Sequence, residues 1–305
     1  AVLAHLAICQ NKIGSEGGTA LVEAIKTSNL ESISIGKDLT LPIKGELDSS
    51  TLDASNQDID PGYVMILAWW LTTPAGAVLA SLTLSGNKIS GTKYEGGKWI
   101  YDADLSGFTS LCQVLGKLNE VNLSNCHLGP ASMPELAKAF SDADAVLASL
   151  TVDGNDLFGT KKYIATAKHK YLDMKGWIAL CTTLKSSNTL ISFSAADIDM
   201  NPEAVAMLAD AIKAMAVLTR VNVLSNPIGA DGADALIEVF EQNTNLRTLL
   251  GIEEGVTEVN LSEKNVDPGQ AKILAAELKA SRATAALARV SVLSNPIGTD
   301  GADAL

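Results

Sequence analysis

The chain has 305 residues, of which 47% are hydrophobic and 19% charged, so it carries enough apolar material for a core and is not intrinsically disordered. Its formal net charge of −12 and pI near 4.7 argue against nucleic acid or an anionic membrane as the main partner. The longest apolar run, 63–71, is far shorter than the roughly 20 residues that span a bilayer. Four cysteines are too few for a disulfide-rich secreted framework. We therefore expect an intracellular protein without a transmembrane segment.

An internal repeat is the first feature along the chain. Five segments share the pattern Leu-x-x-(Leu/Val)-x-(Leu/Ile/Val)-x-x-Asn-x-(Ile/Leu), and they begin at Leu3, Leu79, Leu147, Leu218 and Leu287. Each continues into a glycine that is followed four residues later by leucine, at Gly17, Gly107, Gly176, Gly232 and Gly301. Alternating apolar residues indicate a strand, and a spacing of four indicates one face of a helix. We call these strand–helix segments B-type repeats.

A second kind of repeat, the A type, lies between the B-type repeats. It is marked by a proline with Leu-Ala six and seven residues later, at Pro61, Pro130, Pro202 and Pro268. Proline fits the first position of a helix, because the N–H that it lacks would have no partner there. A short alternating stretch precedes each proline, as in Val121-Asn122-Leu123, and predicts a strand.

The predicted strands are centred on nine anchor residues. In chain order these are Leu6, Leu52, Leu82, Val121, Leu150, Phe193, Val221, Val259 and Val290. The distance from an A anchor to the next B anchor is 28–31 residues, whereas the distance from B to A is 38–46. We therefore place insertions near 31–50, 88–105, 156–175 and 247–257. The second and third lie between strand and helix, and the other two follow the helix.

These residues resemble the ribonuclease-inhibitor type of leucine-rich repeat, over essentially the whole chain. Phrases such as Thr257-Glu258-Val259-Asn260-Leu261-Ser262 are similar to long, uncharacterised repeat proteins of unicellular algae and protists. The resemblance implies an α/β solenoid, a curved horseshoe of about nine repeats with parallel strands inside and helices outside. It also implies that the motif asparagines bond the turns of neighbouring repeats. Where Asn is usual, this chain has Gln57, Cys126, Ile198 and Lys264.

We interpret residues 1–305 as a single solenoid segment, and we expect it to belong to a longer chain. The sequence opens inside a strand repeat and stops partway through a helix. Solenoids need polar caps over their terminal apolar faces, and neither end supplies one.

The sequence offers little for catalysis or for metal or cofactor binding. Its three histidines, His5, His127 and His169, are not part of a Gly-x-Ser-x-Gly nucleophile motif, and we expect His127 to be a turn residue. No close cysteine pair suggests a metal, and Cys112 and Cys181 occupy equivalent positions that we expect to be buried. We predict a protein that is not an enzyme and has no cofactor.

Two regions are candidates for partner binding. The two central insertions carry the aromatic residues that the outward positions of the strands lack, together with several lysines: Tyr94, Trp99, Tyr101, Lys161, Lys162, Tyr163, Lys168, Lys170 and Tyr171. The insertions 88–105 and 156–175 follow strands that are two positions apart in the predicted sheet, so we expect their bases to lie about 10 Å from each other on the same edge of that sheet. Either these aromatics fix the loops to the solenoid, or they bind a partner. The outward positions of the strands, which we call the strand face, lack aromatic residues, and the candidates there are Arg220, Leu224, Arg289 and Leu293. Either these arginines bind a partner, or the row Arg220–Glu258–Arg289 is a charge ladder between neighbouring strands.

The expected function is therefore a non-catalytic scaffold for protein–protein interaction. The alternative is a structural subunit permanently embedded in a large assembly. The sequence does not identify the protein partner in either case.

Overall fold

The computed structural model describes residues 3–45, 47–141, 144–160 and 173–305, which form an α/β fold with parallel strands alternating with helices. The chain divides into two compact units. The first comprises Ala1–Leu147 and Asn155–Gly176, and the second comprises Ala148–Gly154 and Trp177–Leu305. In the described part of the chain, no helix combines the length and the apolar character needed to cross a bilayer.

The first unit contains eight strands and four helices among its described residues. They are β1 (His5–Ala7), α1 (Gly14–Lys26), β2 (Ser32–Ile35), β3 (Leu39–Pro42), β4 (Thr51–Asp53), α2 (Pro61–Trp70), β5 (Ser81–Thr83), β6 (Lys93–Glu95), β7 (Lys98–Ile100), α3 (Ser106–Leu115), β8 (Glu120–Asn122) and α4 (Ser132–Ala137). A 3₁₀ turn, Lys138–Phe140, extends α4. Strands β4, β5 and β8 pair in parallel.

The second unit holds the remaining elements. They are β9 (Ser149–Thr151), α5 (Lys175–Leu184, which begins at the boundary), β10 (Ser192–Ser194), α6 (Pro202–Ala214), β11 (Arg220–Asn222), α7 (Gly229–Gln242), β12 (Glu258–Asn260), α8 (Pro268–Ala280), β13 (Arg289–Ser291) and α9 (Gly298–Ala304). Strands β9, β10 and β11 pair in parallel, and β12 pairs with β13.

The anchor residues predicted from the sequence are confirmed as the central residues of their strands. Leu52 pairs with Leu82 and Leu82 with Val121 in the first unit. Phe193 pairs with both Leu150 and Val221 in the second. The anchors of β5, β9, β10 and β11 are buried between two half-buried neighbours, as expected for a sheet with one face in the core.

The expectation that the anchors are neighbours in chain order is wrong at two places. β1 pairs not with β4 but with β2, with Leu6 opposite Ile33, and β3 then returns antiparallel. β11 likewise pairs not with β12 but with the segment around Thr248, whose carbonyl oxygen accepts a hydrogen bond from the Val221 amide at 2.9 Å. Two predicted insertions, 31–50 and 247–257, therefore supply the strand-like segment beside the preceding strand.

Three of the four proline-marked helices begin at the proline, as predicted, each with a side-chain cap at the preceding residue. The prediction is wrong for Pro130, because α4 begins at Ser132 and the residue before this proline is a glycine, which has no side chain to cap a helix. The carboxylate or amide oxygens of Asp60, Asn201 and Asp267 accept hydrogen bonds from backbone amides two residues beyond the proline, at 3.0, 2.9 and 2.7 Å. Six residues beyond each proline stands a buried leucine: Leu67, Leu136, Leu208 and Leu274. The helix start and the buried face are thus fixed by the same short motif.

The motif asparagines bond B-type repeats to the A-type repeat before them. Asn87 donates from Nδ2 to the carbonyl oxygens of Leu84 and Ala54, at 2.7 and 2.8 Å, and its Oδ1 accepts from the Ile59 amide at 3.0 Å. The same position in three further repeats bonds back to Leu123, Ala195 and Leu261 through Asn155, Asn226 and Asn295. The predicted bonding of neighbouring turns is confirmed for these four residues.

Candidate functional site

The predicted loop 88–105 contains a β-hairpin formed by β6 and β7. Its turn is Gly96-Gly97, and both glycines have positive φ, as two-residue hairpin turns that match the twist of the strands require. Tyr94 and Trp99 face each other across the hairpin, with their rings 5.3 Å apart in an edge-to-face arrangement. Tyr94 and Trp99 therefore form one small aromatic surface on the hairpin.

His127 and Tyr101 complete this aromatic cluster, which we define as Tyr94, Trp99, Tyr101 and His127. The Trp99 ring stacks on His127 with centroids 5.4 Å apart and lies 6.3 Å from Tyr101. His127 lies in the turn after β8 with φ +55°, as expected, but its stacking on Trp99 was not predicted. Tyr94 is the most accessible member, since 52% of it is exposed.

Hydrogen bonds fix the base of the hairpin. The Thr92 hydroxyl donates to the His127 carbonyl oxygen at 2.7 Å and accepts from the Asp102 amide at 3.1 Å. The Asp102 carboxylate in turn accepts from the amides of Gly129 and Ser132 at 2.9 and 3.0 Å, at the start of α4. The loop is thus tied to the following A-type repeat through polar contacts that the sequence did not reveal.

The electrostatics of the cluster favour an uncharged aromatic surface with a charged margin. Burial, followed by the nearby Lys88, lowers the pKa of His127, so its ring is neutral at physiological pH. Burial, with a contribution from the Asp156 carboxylate, raises the pKa of Tyr101. Lys93 and Glu95 form an ion pair of 2.9 Å at the exposed end, where a hydrogen bond from Lys93 lowers the pKa of Glu95.

The bases of the two central insertions line a common cavity of about 650 Å³ in the first unit. The hairpin contributes Lys98, Ile100 and Tyr101, and the other insertion contributes Phe158, Gly159, Asp173 and Lys175. The predicted proximity of the two loops is therefore present at their bases. Six predicted binding residues, Lys161, Lys162, Tyr163, Lys168, Lys170 and Tyr171, lie outside the described residues.

The four candidates on the strand face do not form one surface. Arg220 lies on β11 with its guanidinium 3.6 Å from Glu253, and Leu224 follows that strand half-buried. Arg289 on β13 and Leu293 after it are exposed, Leu293 by 71%. The interpretation of Arg220, Glu258 and Arg289 as one row is wrong, because Thr248 occupies the position beside Arg220. Glu258 and Arg289 are paired neighbours, as expected.

The strand face of the second unit instead carries a polar chain. The Ser194 hydroxyl lies 2.7 and 2.9 Å from the two Asp153 oxygens, and Asn222 donates to the Ser194 hydroxyl at 3.1 Å. Burial raises the pKa of Asp153 against these hydrogen bonds. These hydrogen bonds join the ends of β9, β10 and β11, and we interpret them as structural.

Sequence reasoning missed Glu277, a carboxylate buried in α8. Its Oε1 accepts from the Leu250 amide at 2.9 Å and also from the Leu249 amide, and the Thr248 hydroxyl donates to Oε1 and Oε2 at 3.1 and 3.0 Å. The available signal was a polar residue nine positions after Pro268. The equivalent residues Trp70, Ala139 and Ala211 are all buried.

Three of the four cysteines, Cys112, Cys126 and Cys181, are buried. Cys112 and Cys181 are buried at equivalent positions, as predicted, and burial raises the pKa of both thiols. The Cys126 thiol stands at an asparagine position and contacts the Leu84 carbonyl oxygen at 3.1 Å. Within the described ranges, no three His, Cys, Asp or Glu side chains are grouped to hold a metal ion.

No protein-family model and no curated protein matches this chain.

Proposed function

We propose that the chain is a non-catalytic scaffold for protein–protein interaction, built from about nine leucine-rich repeats of the ribonuclease-inhibitor type in a horseshoe. Two observations support the repeat assignment. Anchors one repeat apart pair in register, and four motif asparagines bond to the repeat before them. Repeats of this kind form extended surfaces that bind other proteins.

The aromatic cluster carries the proposal of binding. It lies on a hairpin that takes no part in pairing β4, β5 and β8, so its aromatic residues are not needed to close that sheet. Asp102 and Thr92 fix the hairpin before any partner arrives, which reduces the entropy lost on binding. Tyrosine and tryptophan are the residues that most often dominate binding energy at interfaces.

Capture of partners from native extract tests this proposal. We expect Tyr94→Ser to reduce the amount of captured partner about tenfold or more, because an exposed tyrosine at the centre of an interface typically contributes 2 kcal/mol or more. Val78→Ser is the matched control, since Val78 is a 44% exposed apolar residue elsewhere in the same unit. If both variants capture the same partners as the parent, the cluster is not the binding surface.

The alternative is a structural subunit permanently embedded in a large assembly. The strand face favours it, because its outward positions carry no aromatic residue and so lack the usual anchors of a protein interface. Fractionation at increasing salt separates the two functions. A partner released by salt supports the scaffold, whereas co-purification with a megadalton particle at every salt concentration supports the structural subunit.

A further inference from the structure

The turns after β1, β4 and β5 line a cavity of about 1190 Å³ within the first unit. The turn between β2 and β3 and the start of the hairpin complete its lining, which consists of residues 10–14, 37–38, 58–61, 86, 88 and 91–94. We call this cavity the turn groove. It is larger than the pockets of roughly 300–1,000 Å³ that typically enclose small molecules. Its size therefore suits a segment of a polypeptide better than a single metabolite.

The floor of the turn groove is apolar. Ile59 and Pro61 are buried there, and Ile13 is half-buried. Space remains beside them, because a Cβ added at Gly14 would meet no atom within 4 Å. Tyr94, the most accessible member of the aromatic cluster, also lines the groove. The groove is therefore continuous with the surface proposed for binding, and an apolar side chain of a partner could pack in it.

Four exposed lysines line the turn groove: Lys12, Lys37, Lys88 and Lys93. The Lys37 ammonium group lies 3.4 Å from the Asp58 carboxylate. The Lys93 ammonium group lies 2.9 Å from the Glu95 carboxylate. Within the described part of the chain, no carboxylate lies within ion-pair distance of Lys12 or Lys88. Two ammonium groups are thus left for charges that come from outside the chain.

The acids of the lining do not cancel these two charges. The Asp60 carboxylate accepts from the Tyr63 amide of α2 at 3.0 Å and from the Gly14 amide of α1 at 3.2 Å. Each helix start carries roughly half a positive charge, so the two together offset this carboxylate. Apart from Asp58, which is paired, Asp38 is the remaining acid of the lining. The groove therefore holds a surplus of positive charge, although the whole chain has a net charge of −12.

We propose that the turn groove binds an acidic segment of a partner protein, with an apolar side chain of that segment packed beside Tyr94 and two of its carboxylates at Lys12 and Lys88. This inference rests on the proposed function and names the chemistry of the partner. An apolar centre with a polar margin is the usual composition of a protein interface. A short acidic segment fits the groove better than a nucleic acid, because a long polyanion would also meet the negative charge of the rest of the chain.

Titration with synthetic peptides tests the inference directly. The probe is a short peptide of alternating glutamate and leucine residues, and its matched control has glutamine in place of each glutamate. Binding is followed through the backbone amide resonances of Gly14, Gly86 and Gly91, which line the groove. We expect the glutamate peptide to shift these resonances and to bind about tenfold more tightly than the glutamine peptide, as two additional ion pairs would give.

Three charge reversals separate the groove from the overall charge of the protein. Lys12→Glu and Lys88→Glu should each weaken binding of the glutamate peptide about fivefold or more, because each replaces an attraction by a repulsion. Lys117→Glu is the matched control. Lys117 is exposed in the same unit but outside the groove, so the same change of charge there should weaken binding less than about twofold. The difference between Lys88→Glu and Lys117→Glu should shrink as salt is added.

Three results would overturn the inference. One is the absence of any shift at the three glycines at peptide concentrations up to about 1 mM, where even a weak complex forms. Another is equal binding of the two peptides, or an equal effect of Lys88→Glu and Lys117→Glu. The third is displacement of the glutamate peptide by a single-stranded oligonucleotide that binds the groove more tightly, which would make this a nucleic-acid site.

Peptide titration and capture from extract can fail separately. If Tyr94→Ser loses its captured partner but the glutamate peptide leaves the groove resonances unchanged, the aromatic cluster binds a partner and the acidic segment is wrong. If the peptide binds as expected while Tyr94→Ser captures the same proteins as the parent, the groove binds acidic segments and the aromatic cluster is not the surface that recruits those proteins.

Discussion

At the scale of single residues, the position nine residues after each helix-starting proline is adapted to what lies beside the helix. It is alanine at Ala139 and Ala211. In the two helices that follow an added strand-like segment it is a side chain that hydrogen-bonds to that segment. Trp70 donates from its indole to the Pro42 carbonyl oxygen at 2.6 Å, and Glu277 accepts from the Leu250 amide at 2.9 Å. The residue type at this buried position thus differs between helices that have such a segment beside them and helices that do not.

The motif asparagine offers a prediction at the same scale. Asn87→Ala should lower the free energy of unfolding by about 2–4 kcal/mol, because it leaves a buried amide and buried carbonyl groups without partners. Asn11→Ala is the matched control. Asn11 is exposed, and its amide bonds only to carbonyl oxygens of its own turn, so the loss should stay below about 1 kcal/mol. Urea denaturation measures both, and equal losses would contradict the role of the asparagine between repeats.

At the scale of secondary-structure elements, the leucine six residues after each proline fills the space under its helix. We expect Leu136→Ala and Leu208→Ala each to cost about 2–5 kcal/mol, since both side chains are fully buried and their removal leaves a cavity. Ile178→Ala on α5, where 45% of the side chain is exposed, is the control and should cost about 1 kcal/mol or less. Thermal melts in which either leucine variant stays within about one degree of the parent would refute the equivalence of these positions.

Close approach of helices gives a second prediction for elements. Gly107 in α3 lies so near the start of α2 that a methyl group there would overlap the Pro61 carbonyl oxygen. We expect Gly107→Ala to destabilise the protein by about 1–3 kcal/mol despite the better helix propensity of alanine. Gly17 holds the matching position in α1, where a methyl group would meet only the Ile13 side chain at 3.3 Å. Gly17→Ala should therefore change the unfolding free energy by less than about 1 kcal/mol, and similar losses in both variants would contradict this packing.

At the scale of the whole molecule, insertions should be separable from folding. The Asp173 amide donates to the Phe158 carbonyl oxygen at 3.0 Å, so the chain on either side of 160–172 already meets. Deleting 160–170 would leave two residues between Gly159 and Asp173, which suffices for a turn closed by that hydrogen bond. We expect the free energy of unfolding to change by less than about 1 kcal/mol, because the entropy cost of closing a loop changes only slowly with the length of the loop.

The same deletion also tests whether this loop takes part in binding. If its lysines contact the partner, capture from extract should fall, most clearly at low salt. A deletion variant that does not fold would show that the loop belongs to the core. A deletion variant that folds and captures every partner would show that the loop is not needed for binding. Tyr94 and the strand face would then remain as the candidate binding surfaces.

The strands and helices were largely predictable, because the information for them is local. Alternation around Leu82 or Val221 and a proline such as Pro202 decide an element within about ten residues. Two strand neighbours were wrong because pairing is decided over longer distances. Ile33 and Thr248 lie in segments that lack the asparagine and glycine marks, although Leu30-x-x-Ile33-x-Ile35 follows the leucine spacing.

The candidate site was predictable in composition but not in geometry. The sequence placed Tyr94, Trp99 and Tyr101 in one insertion, and they lie together on the hairpin or directly after it. The contribution of His127 was not visible, because nothing near a turn histidine indicates which ring will stack on it. The contacts of Asp102 at the start of α4 were not visible either, because they depend on the fold of the loop.

The direction of the asparagine bonds has a consequence for how such a gene can change in length. The side-chain amides of Asn87, Asn226 and Asn295 each donate from a B-type repeat to a carbonyl oxygen of the A-type repeat before it. An A-type repeat and the B-type repeat that follows it therefore form one block. Duplication or loss of a complete A–B block preserves every such bond, whereas removal of half a block leaves an asparagine without its acceptor. Residues 220–236 and 289–305 differ at only two of seventeen positions, so these two B-type repeats are close to interchangeable in sequence.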